Sequence, residues 1–87
     1  MFDLKVISKE KLLFEDAVER VQVEGLGSDY ELLSFHADVA GLLGQGRIVI
    51  DSQYQVNILK GLVSFHNNRC IILVDEDKKR KRTHRTG

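Results

Sequence analysis

Apolar and polar residues alternate from the start of the chain: Phe2, Leu4 and Val6 are separated by Asp3 and Lys5, the period of a half-buried strand. In KLLFEDAVERVQVEG (11–25) the second half alternates again, with Val21 and Val23 on one face and Arg20, Gln22 and Glu24 on the other. β-Branched residues dominate that half and Gly25 closes it, so the segment predicts two short strands broken near Glu15 and Asp16. RIVID (47–51), YQVNILK (54–60), LVSFH (62–66) and CIILV (70–74) are further strand-like runs. They are separated by Asp51, Ser52 and Gln53, by Gly61, and by Asn67 and Asn68. Asparagine tolerates positive φ, so the Asn pair predicts a two-residue hairpin turn.

The stretch GSDYELLSFHADVAGLLGQGR (27–47) decides the fold class, because it lacks proline and is rich in helix formers. As a helix it would scatter Leu32, Leu33, Phe35, Val39, Leu42 and Leu43 around most of the circumference. As a strand, Leu33, Phe35, Ala37 and Val39 fall on one face and Ser34, His36 and Asp38 on the other. Period two therefore predicts a strand over 33–39, with 40–43 compatible with either state. Turn signals recur about every eight to twelve residues, which predicts an all-β sandwich or flattened barrel of about nine to ten short strands.

Eighty-seven residues form one small domain with room for a single core and no substantial catalytic cleft. The hydrophobic share of 43% and charged share of 30% are ordinary for a globular chain, which argues against a disordered or fibrous class. The formal net charge of zero hides an asymmetry: residues 1–77 hold all 13 acidic and 7 of 13 basic residues, a balance of 7 − 13 = −6. KKRKRTHR (78–85) supplies the other six positive charges. The expected organisation is a body, 1–77, and a disordered basic tail, 78–87, whose partners could be anionic lipid or RNA. Cys70 is the sole cysteine, so no internal disulfide can form and a reducing compartment is the simpler expectation. The first residues lack the apolar core of a secretory signal, and no run approaches the roughly eighteen apolar residues of a spanning helix.

Candidate chemistry is sparse. Gly25-x-Gly27 after a strand resembles the start of a dinucleotide fingerprint, but the third glycine would fall at Tyr30 and no second βαβ unit exists; the loop reads as a turn. His36, His66 and His84 are dispersed without ligand spacing, so neither a metal nor a cofactor site is expected. Cys70 opens an apolar run and reads as an inert, buried thiol. No nucleophile, base and orienting group can be assembled, which argues against an enzyme. A stand-alone β-barrel that binds nucleic acid through the basic tail is the alternative, although its strands hold no aromatics interleaved with Lys and Arg.

Taken whole, the body resembles the N-terminal β-sandwich of the epsilon subunit of bacterial F-type ATP synthase. The residues that carry the resemblance are Ser8 and Glu10, then Phe14, Val18, Glu19, Val21, Val23 and Gly25, then His36 and Ala37, then Gly46 before Ile48. Spacing is kept without a gap from Val6 to Ile48, and Gly61, Phe65 and IILVD match the end of the domain. Every proline of the family pattern is missing: Pro-Gly becomes Ser34 and Phe35 before the His, a later Pro becomes Asp38, and a second Pro-Gly becomes Gln45 and Gly46. Lys60 and Gly61 stand where the family has a glycine pair.

The resemblance implies a non-catalytic rotor component of a proton- or sodium-translocating synthase, peripheral on the cytoplasmic face of the bacterial inner membrane. It implies that Ser8, His36 and Gly41 face the gamma subunit, and that a loop containing Leu26, Gly27, Ser28, Asp29 and Glu31 faces the ring of c subunits. Family members continue into a helical hairpin that restrains ATP hydrolysis and in some bacteria binds ATP. Here a basic tail follows the body, so neither property is carried over.

Overall fold

The computed structural model describes residues 1–25 and 29–77, and eight strands make up its regular structure: β1 (Phe2–Ser8), β2 (Leu12–Val18), β3 (Arg20–Gly25), β4 (Tyr30–Leu33), β5 (Val39–Leu43), β6 (Gly46–Ile50), β7 (Tyr54–His66) and β8 (Arg69–Glu76). The expected all-β sandwich is therefore what the chain forms. Strand order is β2-β1-β8-β7-β6-β3-β4, with β5 also pairing β7. Only β1 and β8 run parallel; the other pairs are antiparallel.

β7 belongs to both halves of the structure. Its first part, from Tyr54 to Ile58, pairs β6, while residues from Gly61 to Phe65 pair β5 on one side and β8 on the other. The β8 ladder slips between Ile58 and Lys60, so Leu59 is an extra residue that bends the strand. Gly61 follows at a close approach: a Cβ there would lie 2.6 Å from the Leu73 carbonyl oxygen, far inside contact distance. The expectation that Gly61 separates two strands is thus corrected. Glycine here lets one long strand bend rather than ending it, and the strand count among the described residues falls to eight.

The core is filled by one face of every strand. Phe2, Leu4 and Val6 alternate inward from β1, and meet Val21, Val23, Leu32, Ile48, Ile50, Val63, Phe65, Cys70 and Ile72. The Phe2 and Phe65 rings pack edge to face at 5.2 Å. Burial of each such side chain contributes about 1.5–3 kcal/mol against the entropy of ordering the chain.

Two expectations about boundaries are corrected. The break between β2 and β3 lies at Glu19 rather than near Glu15 and Asp16, because β2 pairs β1 as far as Phe2 opposite Val18. The strand expected over 33–39 does not form. In the β3–β4 ladder Leu32 sits opposite Val21 and is buried with it, which turns Leu33 outward and ends the strand there. The backbone then turns, with the His36 N–H donating to the Leu33 carbonyl at 3.1 Å, and resumes as β5 at Val39. The rejection of a helix holds, since 30–43 is two strands and a turn.

Paired residues in the left-handed region form two hairpin turns: Asp51 and Ser52 have φ 51° and 58°, and Asn67 and Asn68 have φ 56° and 60°. The Asn pair turns as its chemistry predicts. Asp51 also ties the strands together, its Oδ1 accepting the Glu19 and Arg20 N–H groups at 2.8 and 2.9 Å. Asp51→Ala leaves both donors to water or unpaired, and we expect urea unfolding to report a loss of about 1–3 kcal/mol. An unchanged midpoint would contradict this tie.

Candidate functional site

β8 is apolar on both faces. Cys70, Ile72 and Val74 enter the core, while Ile71 and Leu73 stand about half-exposed on the other side. The registers carry that outer face across the sheet: Leu42 on β5 lies opposite Leu62 on β7, Leu62 opposite Leu73 on β8, Leu73 opposite Ile7 on β1, and Ile7 opposite Leu12 on β2. Five apolar side chains thus form a row across five strands on the face away from the core. Leu42 is 82% exposed, and Leu12, Leu62 and Leu73 are about half-exposed. Directly opposed pairs sit about 4.5–5.5 Å apart at Cβ, so the row is contiguous. Its rim is polar: Lys60 and Asp75 oppose one another at one end, and Lys5 and Glu15 form an exposed ion pair at 3.5 Å beyond the other. An apolar stripe with a polar rim is the anatomy of a protein interface.

β5 extends this surface to an edge. Its sequence, VAGLL, holds no charge, proline or bulge that would discourage a partner. Gly41 is exposed, and a Cβ there would meet nothing within 4 Å.

The residues named from sequence fall in three places. Ser8 is buried, and its hydroxyl closes the β1–β2 turn by accepting the Glu10 and Lys11 N–H groups at 3.3 and 3.2 Å and donating to the Lys11 carbonyl at 3.2 Å. It adjoins the apolar row through Ile7. Gly41 adjoins the row through Leu42. His36 lies in the β4–β5 turn, its Nδ1 2.7 Å from the Ala37 carbonyl oxygen and its ring edge-on to Phe65 at 5.7 Å.

Asp29 and Glu31 are both exposed near the far end of β4. The Asp29 carboxylate accepts the Gly25 N–H at 3.0 Å, and Glu31 pairs with Arg20 at 3.5 Å. Leu26, Gly27 and Ser28 lie outside the described residues, as does the 78–87 tail.

The apolar row itself was not named from sequence. Its signal was present in CIILV, where apolar residues at every position imply two covered faces rather than one.

The chemistry of the remaining groups is quiet. Burial pushes the Cys70 thiol up to about 12. His66 Nδ1 lies 2.7 Å from Asp38 Oδ2, both largely exposed. Among the described residues no group of three or more His, Cys, Asp or Glu could hold a metal, and no helix is long and apolar enough to cross a membrane.

This sandwich, with its strand order and exposed apolar face, has known relatives. The family described as the beta-sandwich domain of the ATP synthase delta/epsilon chain matches residues 1–79. The chain belongs to that family. As an epsilon-type N-terminal domain, it is 29% identical over 77 residues to the ATP synthase epsilon chain of Rhodopseudomonas palustris (strain BisB18), covering 85% of this chain and 57% of that one. The ATP synthase epsilon chain 2 of Nitrobacter hamburgensis is 31% identical over 77 residues with the same coverage. The chain therefore spans 57% of the length of these curated relatives.

A chain in the cryo-EM structure of the Tetrahymena thermophila mitochondrial ATP synthase central stalk and c-ring shares the fold. The TM-score is 0.75 at 18% identity, over 92% of this chain and 67% of that one.

A thiol this well buried reacts only when the epsilon-type domain opens. Ellman's reagent at pH 8 is expected to label Cys70 at the rate of unfolding, and immediately in urea. Rapid labelling of one thiol in the native protein would contradict the burial.

Proposed function

We propose that this domain is a non-catalytic central-stalk component that grips a gamma subunit with the Leu42, Leu62, Leu73, Ile7 and Leu12 row. The row carries the reading, because a stable soluble body has no use for a continuous apolar stripe five strands wide unless another surface covers it. Gly41 and the Ser8 turn frame the row, and His36 lies at the end of the same sheet. The family match and the names of the epsilon chain relatives support this assignment.

The second contact is the loop after β3, directed at the polar surface of a c-ring. Asp29 holds the start of that loop through Gly25, and Glu31 is restrained by Arg20. Charged pairs at such a wet boundary are each worth about 0–1 kcal/mol, so this contact orients the domain rather than binding it tightly. Two patches near the standard ~800 Å² per partner are enough to turn gamma and ring as one body. The ion, proton or sodium, is carried by the ring, and nucleotide chemistry belongs to the catalytic head. The domain stays peripheral to the cytoplasmic face of the membrane, and its job asks for no cofactor.

A nucleic-acid platform would need exposed aromatic and basic side chains along a sheet face; this face offers leucine and isoleucine, which favours a protein partner. The test is Leu62→Asp in the full chain, titrated against the gamma subunit of the same organism. We expect affinity to fall about 100-fold or more, alongside a loss of about 1–2 kcal/mol in stability that leaves the domain folded. Unchanged affinity in the folded variant would remove the row from the interface.

A further inference from the structure

The turn between β4 and β5 holds an aromatic side chain in water at a backbone cost. Phe35 has φ 60° and is 84% exposed. For a bulky side chain this left-handed conformation is a true outlier, since its Cβ crowds the neighbouring backbone. The position is the third residue of a turn closed by the His36 N–H on the Leu33 carbonyl, a place where glycine would carry no strain.

The surrounding structure fastens this turn from several sides. The Phe35 N–H donates to Asn68 Oδ1 at 2.7 Å, and Asn68 Nδ2 donates in turn to the Met1 carbonyl at 3.1 Å. Asn68 is itself in the left-handed region of the β7–β8 turn. His36 packs its ring on Phe65, and Asp38 meets His66 at 2.7 Å. Phe35 itself enters these contacts through its backbone N–H, and its ring takes part in none of them. Met1 and Leu33, in the segments joined to this turn, are exposed as well.

Location selects the partner. The β4–β5 turn sits against the β7–β8 hairpin, at the end of the sheet whose outer face carries the apolar row. β4 separates Phe35 from Asp29, so the ring lies at the opposite end of that strand from the loop assigned to the c-ring. A protein that covers the row can therefore also reach Phe35.

We propose that Phe35 is the anchor by which this domain docks its gamma-side partner, its ring entering an apolar socket on that protein. This rests on the gamma reading above. A well-packed socket removes the ring from water, and binding then offsets the strain that holds the ring out in the free domain. Asn68 acts as a positioning residue that fixes the turn before contact, so little side-chain and loop freedom is lost on docking.

The test separates anchoring from folding because the two effects have opposite signs. Phe35→Gly relieves the strained φ and removes no core contact, so its melting temperature is expected to rise by about 4 °C. Its affinity for the purified gamma subunit of the same organism is expected to fall about 30-fold or more. A Phe35→Gly variant that binds gamma as tightly as the parent overturns the anchor while leaving the gamma reading intact. A fall in melting temperature also overturns it, by showing that the ring serves the fold. Failure of the parent chain itself to bind gamma removes the gamma reading, and the anchor with it.

Discussion

The bend in β7 is the constraint on which the rest of the architecture depends. Leu59 is the extra residue that breaks the ladder to β8, and Gly61 lets the backbone pass the Leu73 carbonyl where any side chain would collide. One continuous strand can then pair β6 in one sheet and β5 and β8 in the other. A straight strand of thirteen residues would carry these pairings apart and leave no enclosed core. With the bend, two small sheets share a strand and face each other over Phe2, Phe65, Ile48 and Ile72.

That shared strand also explains why the outer face is available for docking. The inner faces need no more than one residue in two from each strand, yet β8 also carries Ile71 and Leu73 on its outer side, and β7 adds Leu62 beside Ser64 and His66. The surplus lines up because the registers are fixed from β5 to β2, so a row of separate exposed residues becomes a single stripe.

Much of this was legible in the residues, and what was not has physical causes. The alternation in β1 and β3 reads directly as half-buried strands, and the Asn67 and Asn68 turn follows from the tolerance of asparagine for positive φ. Glycine at position 61 misleads, because bend and break share the same residue type and only the Leu73 carbonyl tells them apart. The 33–39 segment misleads for a subtler reason. Its alternation is real, but the pairing of Leu32 with Val21 sets the opposite phase, and a one-residue slip reverses every side chain. Of the contact residues suggested by resemblance, Gly41 adjoins the apolar row, Ser8 reaches it only through the turn it closes, and His36 stands at the sheet end. The leucines between them stayed hidden because each alone looks like a core residue until the strands are placed side by side.

The account stands on the outer face of the β5, β7, β8 and β1 sheet being the surface that a partner covers. Amide hydrogen exchange, followed on the free chain and on the chain saturated with gamma subunit, reads that surface directly. Slowed exchange concentrated in β5, around Leu12 in β2 and in the 33–38 turn, with the Asp51 turn little changed, is the predicted result. Slowing confined to the 29–31 segment, with β5 exchanging as freely as before, would contradict it.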